Sequence, residues 1–246
     1  MKRALLAVAL CALSCGGEVR DGTAVELGAS LAANPRVTRS QYNPFSCLTC
    51  HAVRPGGDRA LPGAPLQGAA RRPSFWGGEV AHLREAVERC WVGFMRGDAR
   101  DLDARDGQAI AAWLESLAPE GSTEGTAAVP RTWAVSVRDP GAGGDPALGR
   151  AAWQRACAYC HGALDTAAGR LAPLVSRLPQ DTLAEHCDDD LAVAGYTDRQ
   201  AYLRGVLAEK TRHGSFLGYA GAMPPFTQEV LSDDDVRHLA SLFRCP

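Results

Sequence analysis

The chain has 246 residues, a formal net charge of -2, six histidines and nine cysteines. The near-neutral charge argues against a nucleic-acid partner, because phosphate binding needs a clear basic excess. Nine cysteines are many for a cytosolic protein but ordinary for an exported one. The length fits one or two domains.

The first fourteen residues have the pattern of an export signal. Lys2 and Arg3 precede an apolar run over residues 4–13 that is too short to span a bilayer. The sequence around Cys15 resembles a bacterial lipobox, whose cysteine becomes the lipidated first residue. We expect a signal peptide at 1–14, a tether at 15–27, and a location in the periplasm or outer cell envelope. Membrane contact would then come only through a lipid at Cys15, with a plain secretory signal as the alternative.

The rest of the chain repeats one plan twice. Residues 28–118 and 145–246 each carry a C-x-x-C-H motif, a loop-rich middle and a helix with apolar periodicity. Residues 119–144, rich in Gly, Pro, Ser and Thr, have the composition of a linker. Within this linker, residues 132–137 alternate as a strand does and predict a small strand or hairpin.

Helical periodicity dominates both halves. It predicts helices over 82–94 and 106–117 in the first half, and over 147–160 and 199–211 in the second. Ser232 is expected to cap a last helix, with Asp235 three residues further on. Since no parallel-sheet pattern appears, we predict a mostly α fold with two helical domains in tandem.

The two C-x-x-C-H motifs each have the spacing that attaches a heme. Two thiols separated by two residues form thioethers with the heme vinyl groups, and the adjacent histidine becomes the proximal iron ligand. A redox C-x-x-C pair does not need the histidine, and a zinc site needs further ligands in each half. The motifs therefore predict two covalently bound hemes c. The attaching cysteines are Cys47, Cys50, Cys157 and Cys160, and the proximal ligands are His51 and His161.

The second half resembles a class I cytochrome c domain. Gly162 follows the motif, and Met223-Pro224-Pro225-Phe226 precedes the last helix. In that family a methionine before proline on such a loop is the distal ligand, so the resemblance implies this role for Met223. Lys210 and His213 are the alternatives.

The first half resembles the heme domains of thiosulfate dehydrogenases and of the diheme subunit of sulfur-oxidising cytochrome complexes. The similarity lies in Asn43-Pro44-Phe45-Ser46 before the motif, in Pro65-Leu66, and in the later Cys90 and Met95. In those families a cysteine that matches Cys90 ligates the iron. Met95 and His82 remain alternative distal ligands.

The cysteine count and the helical pattern bear on Cys90 independently. Cys90 lies in the middle of an apolar stripe of the helix predicted over 82–94. Cys187 and Cys245, both in the second half, are available to form a disulfide. Cys90 is then left without a partner, which is consistent with a ligand or with a buried structural cysteine.

These features favour an electron carrier that exchanges single electrons with redox partner proteins in the periplasm or membrane. The alternative is an enzyme similar to thiosulfate dehydrogenase, with catalysis at the first heme. A diheme peroxidase needs an open distal position, which Met223 disfavours at the second heme. Arg71 and Arg72 are candidates for pairing with heme propionates, since arginine binds carboxylates well.

Overall fold

A computed structural model describes residues 23–40, 44–118, 120–123, 125–132, 139–216, 219–220 and 223–246. The predicted signal peptide, Cys15 and residues 133–137 of the linker strand pattern lie outside this part of the chain. The fold is mostly helical, which confirms the predicted fold class. Within the described residues, no helix has both the length and the apolar character needed to cross a membrane.

The first half is built from two longer helices at its end and a helix at its beginning. A capping box between Thr23 and Glu26 starts the first helix, which begins inside the range expected to be a tether. Three short 3-10 turns connect the helices at Ala69–Arg71, Trp76–Gly78 and Ala99–Asp103. The helices are α1 (Ala24–Ala33), α2 (Cys47–Cys50), α3 (Leu83–Gly93) and α4 (Arg105–Ser116).

Like the first half, the second half has a helix before its motif and a last helix after it, but more helices lie between them. The helix predicted over 147–160 is interrupted, because a π-turn at Trp153–Cys157 separates α5 from α6 just before the heme motif. The helices are α5 (Pro146–Ala152), α6 (Ala158–His161), α7 (Gln180–His186), α8 (Leu191–Ala194), α9 (Arg199–His213) and α10 (Asp233–Ala240). Strands β1 (Ser215–Phe216) and β2 (Tyr219–Ala220) form an antiparallel pair directly after α9.

The two halves share one helix crossing. A Cβ atom on Gly28 of α1 would lie 2.0 Å from the carbonyl oxygen of Ala109 in α4. A Cβ atom on Gly149 of α5 would lie 2.3 Å from the carbonyl oxygen of His238 in α10. In each half, glycine therefore lets the first helix contact the backbone of the last one, and this crossing closes a separate apolar core.

Direct contacts join the two halves. The backbone N–H of Ala60 donates to the carbonyl of Arg155 at 2.8 Å. The Arg59 guanidinium lies 3.8 Å from the centre of the Tyr159 ring, a cation–π contact beside the second heme motif. Both contacts bring the segment after the first motif against the second motif.

A disulfide joins Cys187, at the end of α7, to Cys245 near the C-terminus. The pairing that the cysteine count allowed is therefore present. It closes a loop with a sequence separation of 58 residues, and such a cross-link stabilises a fold mainly by restricting the unfolded chain. Cys90 remains outside any disulfide.

Candidate heme sites

The first motif lies on the short helix α2. Ser46 precedes it, and its backbone N–H donates to Thr49 Oγ1 at 3.0 Å, which closes the first turn of α2. His51 follows the helix, and its Nδ1 lies 2.6 Å from the carbonyl oxygen of Ala64. The turn therefore holds Cys47 and Cys50 on one side of the backbone and fixes the plane of the adjacent imidazole.

The second motif is held in the same way. His161 Nδ1 lies 3.0 Å from the carbonyl oxygen of Ser176. The buried Trp153 donates from its indole nitrogen to the carbonyl of Gly162 at 3.2 Å, directly after the motif. The tryptophan and histidine rings lie with their centres 6.0 Å apart, so the indole packs beside the imidazole.

The hydrogen bonds define the protonation of both histidines. A carbonyl oxygen only accepts, so Nδ1 carries the proton and Nε2 keeps its lone pair. Burial lowers the pKa of His51, and it also lowers the pKa of His161. Both rings are therefore neutral near pH 7 with Nε2 as the available ligand atom, the form in which imidazole binds a metal.

Each motif borders its own cavity. The first cavity, beside Cys47, Cys50 and His51, has a volume of about 170 Å³. The second cavity, beside Cys157, Cys160 and His161, has a volume of about 730 Å³. The larger one falls in the usual size range of ligand pockets, whereas the first is smaller than that range.

The donor set at both cavities fits heme c. Each combines two thiols outside any disulfide, a neutral imidazole and a largely apolar wall, which are the groups that attach and enclose a porphyrin. Among the residues described, no three His, Cys, Asp or Glu side chains are grouped as a metal-ion site would require. The described residues therefore contain no group of side chains that could bind zinc.

The two cavities lie next to each other. Phe45, Cys50 and Pro62 of the first half and Pro224 of the second line both of them. Burial raises the pKa of the Cys50 thiol, and the nearby Cys160 of the other motif raises it further. One cysteine of the first motif therefore lies close to one cysteine of the second.

Two of the three distal candidates for the second motif line the second cavity. Met223 and Lys210 are at its wall, whereas His213 is exposed on the last turn of α9. Lys210 is already engaged, since its Nζ lies 3.3 Å from both Glu185 Oε2 and His186 Nε2. Met223 packs against the apolar core of the second half.

Three contacts with the end of α9 hold the segment that carries Met223. The N–H of Phe226 donates to the carbonyl of Thr211 at 2.8 Å. The buried Arg212 donates from Nη1 to the carbonyl of Phe226 at 3.1 Å and from Nη2 to Asp233 Oδ1 at 2.6 Å. Gly214 ends the helix at φ +71°, and a Cβ there would lie 2.2 Å from the carbonyl oxygen of Met223.

The first cavity brings together the two leading distal candidates of the first half. Cys90 and Met95 both line it, whereas His82 is exposed at the start of α3. Met95 is buried in the apolar core, and its carbonyl accepts a hydrogen bond from Thr38 Oγ1 at 2.8 Å. Cys90 is half-buried, and burial raises the pKa of its thiol to about 12.

A polar cluster at the wall of the second cavity was not predicted from the sequence. Buried His186 lies with Nδ1 2.8 Å from Asp189 Oδ2, and the hydroxyl of the buried Tyr202 donates to the same carboxylate. Asp189 falls in an acidic run whose ordinary interpretation is a solvated loop. His186 and Asp189 are three residues apart, but Tyr202 lies on α9 and reaches them only in the folded chain.

Residues 144–241 match a family model described as cytochrome c oxidase, cbb3-type, subunit III. Over these residues the chain is similar to a cytochrome c-type domain. The match covers less than half of the chain and lies entirely at and after the end of the linker. Domains of this type carry covalently bound heme c, in agreement with the donor set at Cys157, Cys160 and His161.

The chain is also similar to a solved structure of thiosulfate dehydrogenase from Marichromatium purpuratum. The TM-score is 0.40 and the sequence identity 18%, over 89% of this chain and 45% of that one. This chain thus spans less than half the length of that protein's chain. No curated protein matches the chain.

Proposed function

We propose that this protein is an exported diheme cytochrome c that transfers single electrons between redox partner proteins in the bacterial cell envelope. The observation that carries the proposal is the repeated site. Each motif presents two cysteines and a neutral histidine, tied by Nδ1 to a backbone carbonyl, at the wall of its own cavity. Heme c bound there supplies reversible one-electron chemistry at iron.

Several features support the remaining parts of the proposal. The cavities adjoin at Cys50, which favours electron exchange within one chain. The Cys187–Cys245 disulfide suits an oxidising compartment such as the periplasm. The sequence around Cys15 suits attachment to a membrane by lipid, and the near-neutral charge suits protein partners better than nucleic acid.

The number of hemes is the direct test. The full chain, expressed in a host that matures c-type cytochromes, should gain the mass of two hemes and titrate as two one-electron components. The Cys47→Ala/Cys50→Ala variant should keep one heme, attached to a peptide that contains Cys157 and Cys160. A single heme in the unsubstituted chain, or hemes that do not cycle reversibly, would refute the proposal.

We propose Cys90 as the distal ligand of the first heme, with Met95 as the alternative. Both residues line the cavity, but Met95 is also part of the buried apolar core, whereas Cys90 is half-buried on α3. We expect Cys90→Ala to abolish the low-spin ferric spin-resonance signal of the first heme and to raise its potential, because a thiolate favours ferric iron. Met95→Ala should leave that signal in place. The reverse result would assign Met95.

A second candidate function rests on the presence of Cys90 at the first cavity. A thiosulfate dehydrogenase-like enzyme would join two thiosulfate ions into tetrathionate and deliver the two released electrons to two hemes. Thiosulfate should then reduce the hemes with formation of tetrathionate, and Cys90→Ala should stop both. If the hemes exchange electrons with small mediators but not with thiosulfate, only the carrier function is supported.

A further inference from the structure

The first cavity contains an arginine supplied by the linker. Arg131 is half-buried and lines this cavity, although it lies beyond the first half of the chain. Its Nη1 donates to Thr227 Oγ1 at 3.2 Å, and Thr227 is fully buried in the second half. The next linker residue, Thr132, donates from its N–H to Glu229 Oε2 at 3.0 Å. The linker is thus held to the second half while it reaches the first cavity.

A second arginine faces the same cavity. The side-chain nitrogen Nε of Arg72 is buried and has no hydrogen-bond partner among the described residues. Its Nη2 donates to the carbonyl oxygens of Pro65 and Gln67. Leaving a buried donor unpaired costs about 1–3 kcal/mol, so the cavity offers a place for an acceptor.

The two guanidinium groups place two positive charges at one cavity. Burial lowers the pKa of Arg72, and the charge of Arg131 lowers it further. Burial also lowers the pKa of Arg131, which Glu229 partly offsets. Since arginine stays protonated in proteins, two half-buried cations at one cavity are best stabilised by carboxylates that accept from both.

The position of the pair fits one end of a porphyrin. Arg72 donates to the carbonyl of Pro65, which follows Ala64, the residue whose carbonyl binds His51 Nδ1. Arg59 donates instead to the carbonyl of Thr49, next to Cys50. A heme attached through its vinyl groups has its two propionates on the other pyrrole rings, away from the thioethers. Arg72 thus lies at the loop that holds the proximal histidine, and a different cation lies at the turn that carries the attaching cysteine.

We propose that Arg72 and Arg131 bind the propionates of the first heme, and that Arg131 thereby makes the segment from Met223 to Thr227 part of both heme sites. The inference rests on the proposed function, because it requires a heme at the first motif. Pro224 and Pro225 of the same segment also line the first cavity. The second half therefore completes the site of the first heme, while Met223 faces the second cavity.

The test measures the midpoint potentials of both hemes in the full holoprotein. Removing a positive charge near the propionates favours ferric iron, so Arg72→Gln and Arg131→Gln should each lower the first potential. We expect about a tenfold change in the one-electron equilibrium, or ~59 mV. Arg131→Lys keeps the positive charge, so it should lower the first potential less than Arg131→Gln does. Arg54→Gln removes an exposed charge from the same half and should leave it unchanged.

Heme content separates the possible failures. A chain with no heme at Cys47 and Cys50 contradicts the proposed function itself. Two attached hemes with an unchanged first potential in both arginine variants, or an equal shift in Arg54→Gln, overturn only the propionate assignment. A saturable shift of the first potential when sulfate is added, lost in Arg72→Gln, would show that the pair binds a mobile anion and would also overturn it.

Discussion

Replacing Met223 by alanine should remove the distal ligand of the second heme and lower its midpoint potential by on the order of tenths of a volt, since axial ligands set heme potentials over a range of about 0.8 V. A thioether favours ferrous iron, so its loss favours the ferric state. The weak red absorption band of ferric heme with methionine ligation should disappear. Spectropotentiometry of the holoprotein measures both effects.

Met95→Ala is the matched control, because it also removes one methionine but from the wall of the first cavity. It should not change the midpoint potential of the second heme. Lys210 lines the same cavity as Met223, and the double variant Met223→Ala/Lys210→Ala shows whether the amine replaces the lost thioether. A red band and potential that survive in Met223→Ala would exclude Met223 as the ligand.

Replacing Arg212 by methionine should lower the free energy of unfolding by about 1–3 kcal/mol, the cost of leaving a buried acceptor unpaired. The side chain is 2% exposed and donates to the carbonyl of Phe226, whereas its carboxylate partner Asp233 is 56% exposed and stays solvated without it. The segment that carries Met223 then loses one of its attachments to α9. Thermal unfolding followed by circular dichroism measures the loss.

Asp233→Asn is the matched control for Arg212→Met, because it removes the charge from the exposed end of the same contact. Asparagine still offers a side-chain oxygen to Arg212 Nη2 at the exposed end of the contact, so this variant should lose less free energy of unfolding than Arg212→Met. A positioning role for Arg212 also predicts a weaker red methionine band and a lower potential of the second heme. If the stability falls but the band and potential of the second heme are unchanged, Arg212 has only a structural role.

The two sites are unequal in how they are built. The second is formed mostly by its own half, with Met223 held by Thr211, Arg212 and Gly214. The first takes Arg131 from the linker and Pro224 and Pro225 from the second half. A substitution in the segment from Met223 to Thr227 should therefore change the midpoint potentials of both hemes.

The helices were predictable where a long apolar stripe faces a core. The predicted ranges 82–94 and 106–117 agree closely with Leu83–Gly93 and Arg105–Ser116, and 199–211 agrees with Arg199–His213. Helix α1 was not predicted. Its capping box between Thr23 and Glu26 lies inside the range expected to be a tether. The π-turn at Trp153–Cys157 interrupts the helix predicted over 147–160, and the apolar periodicity did not predict this interruption.

The sequence by itself determined the local turn of each C-x-x-C-H motif, because two thiols and a histidine at fixed spacing form one local turn whatever surrounds them. It also determined the mostly helical class and the cysteines available for the second-half disulfide. Only the tertiary structure decided which carbonyls fix His51 and His161, which distal candidates reach each cavity, and that Arg131 crosses from the linker to the first one. These contacts join residues far apart in the chain, where local spacing carries no information and packing of the two halves sets the distances.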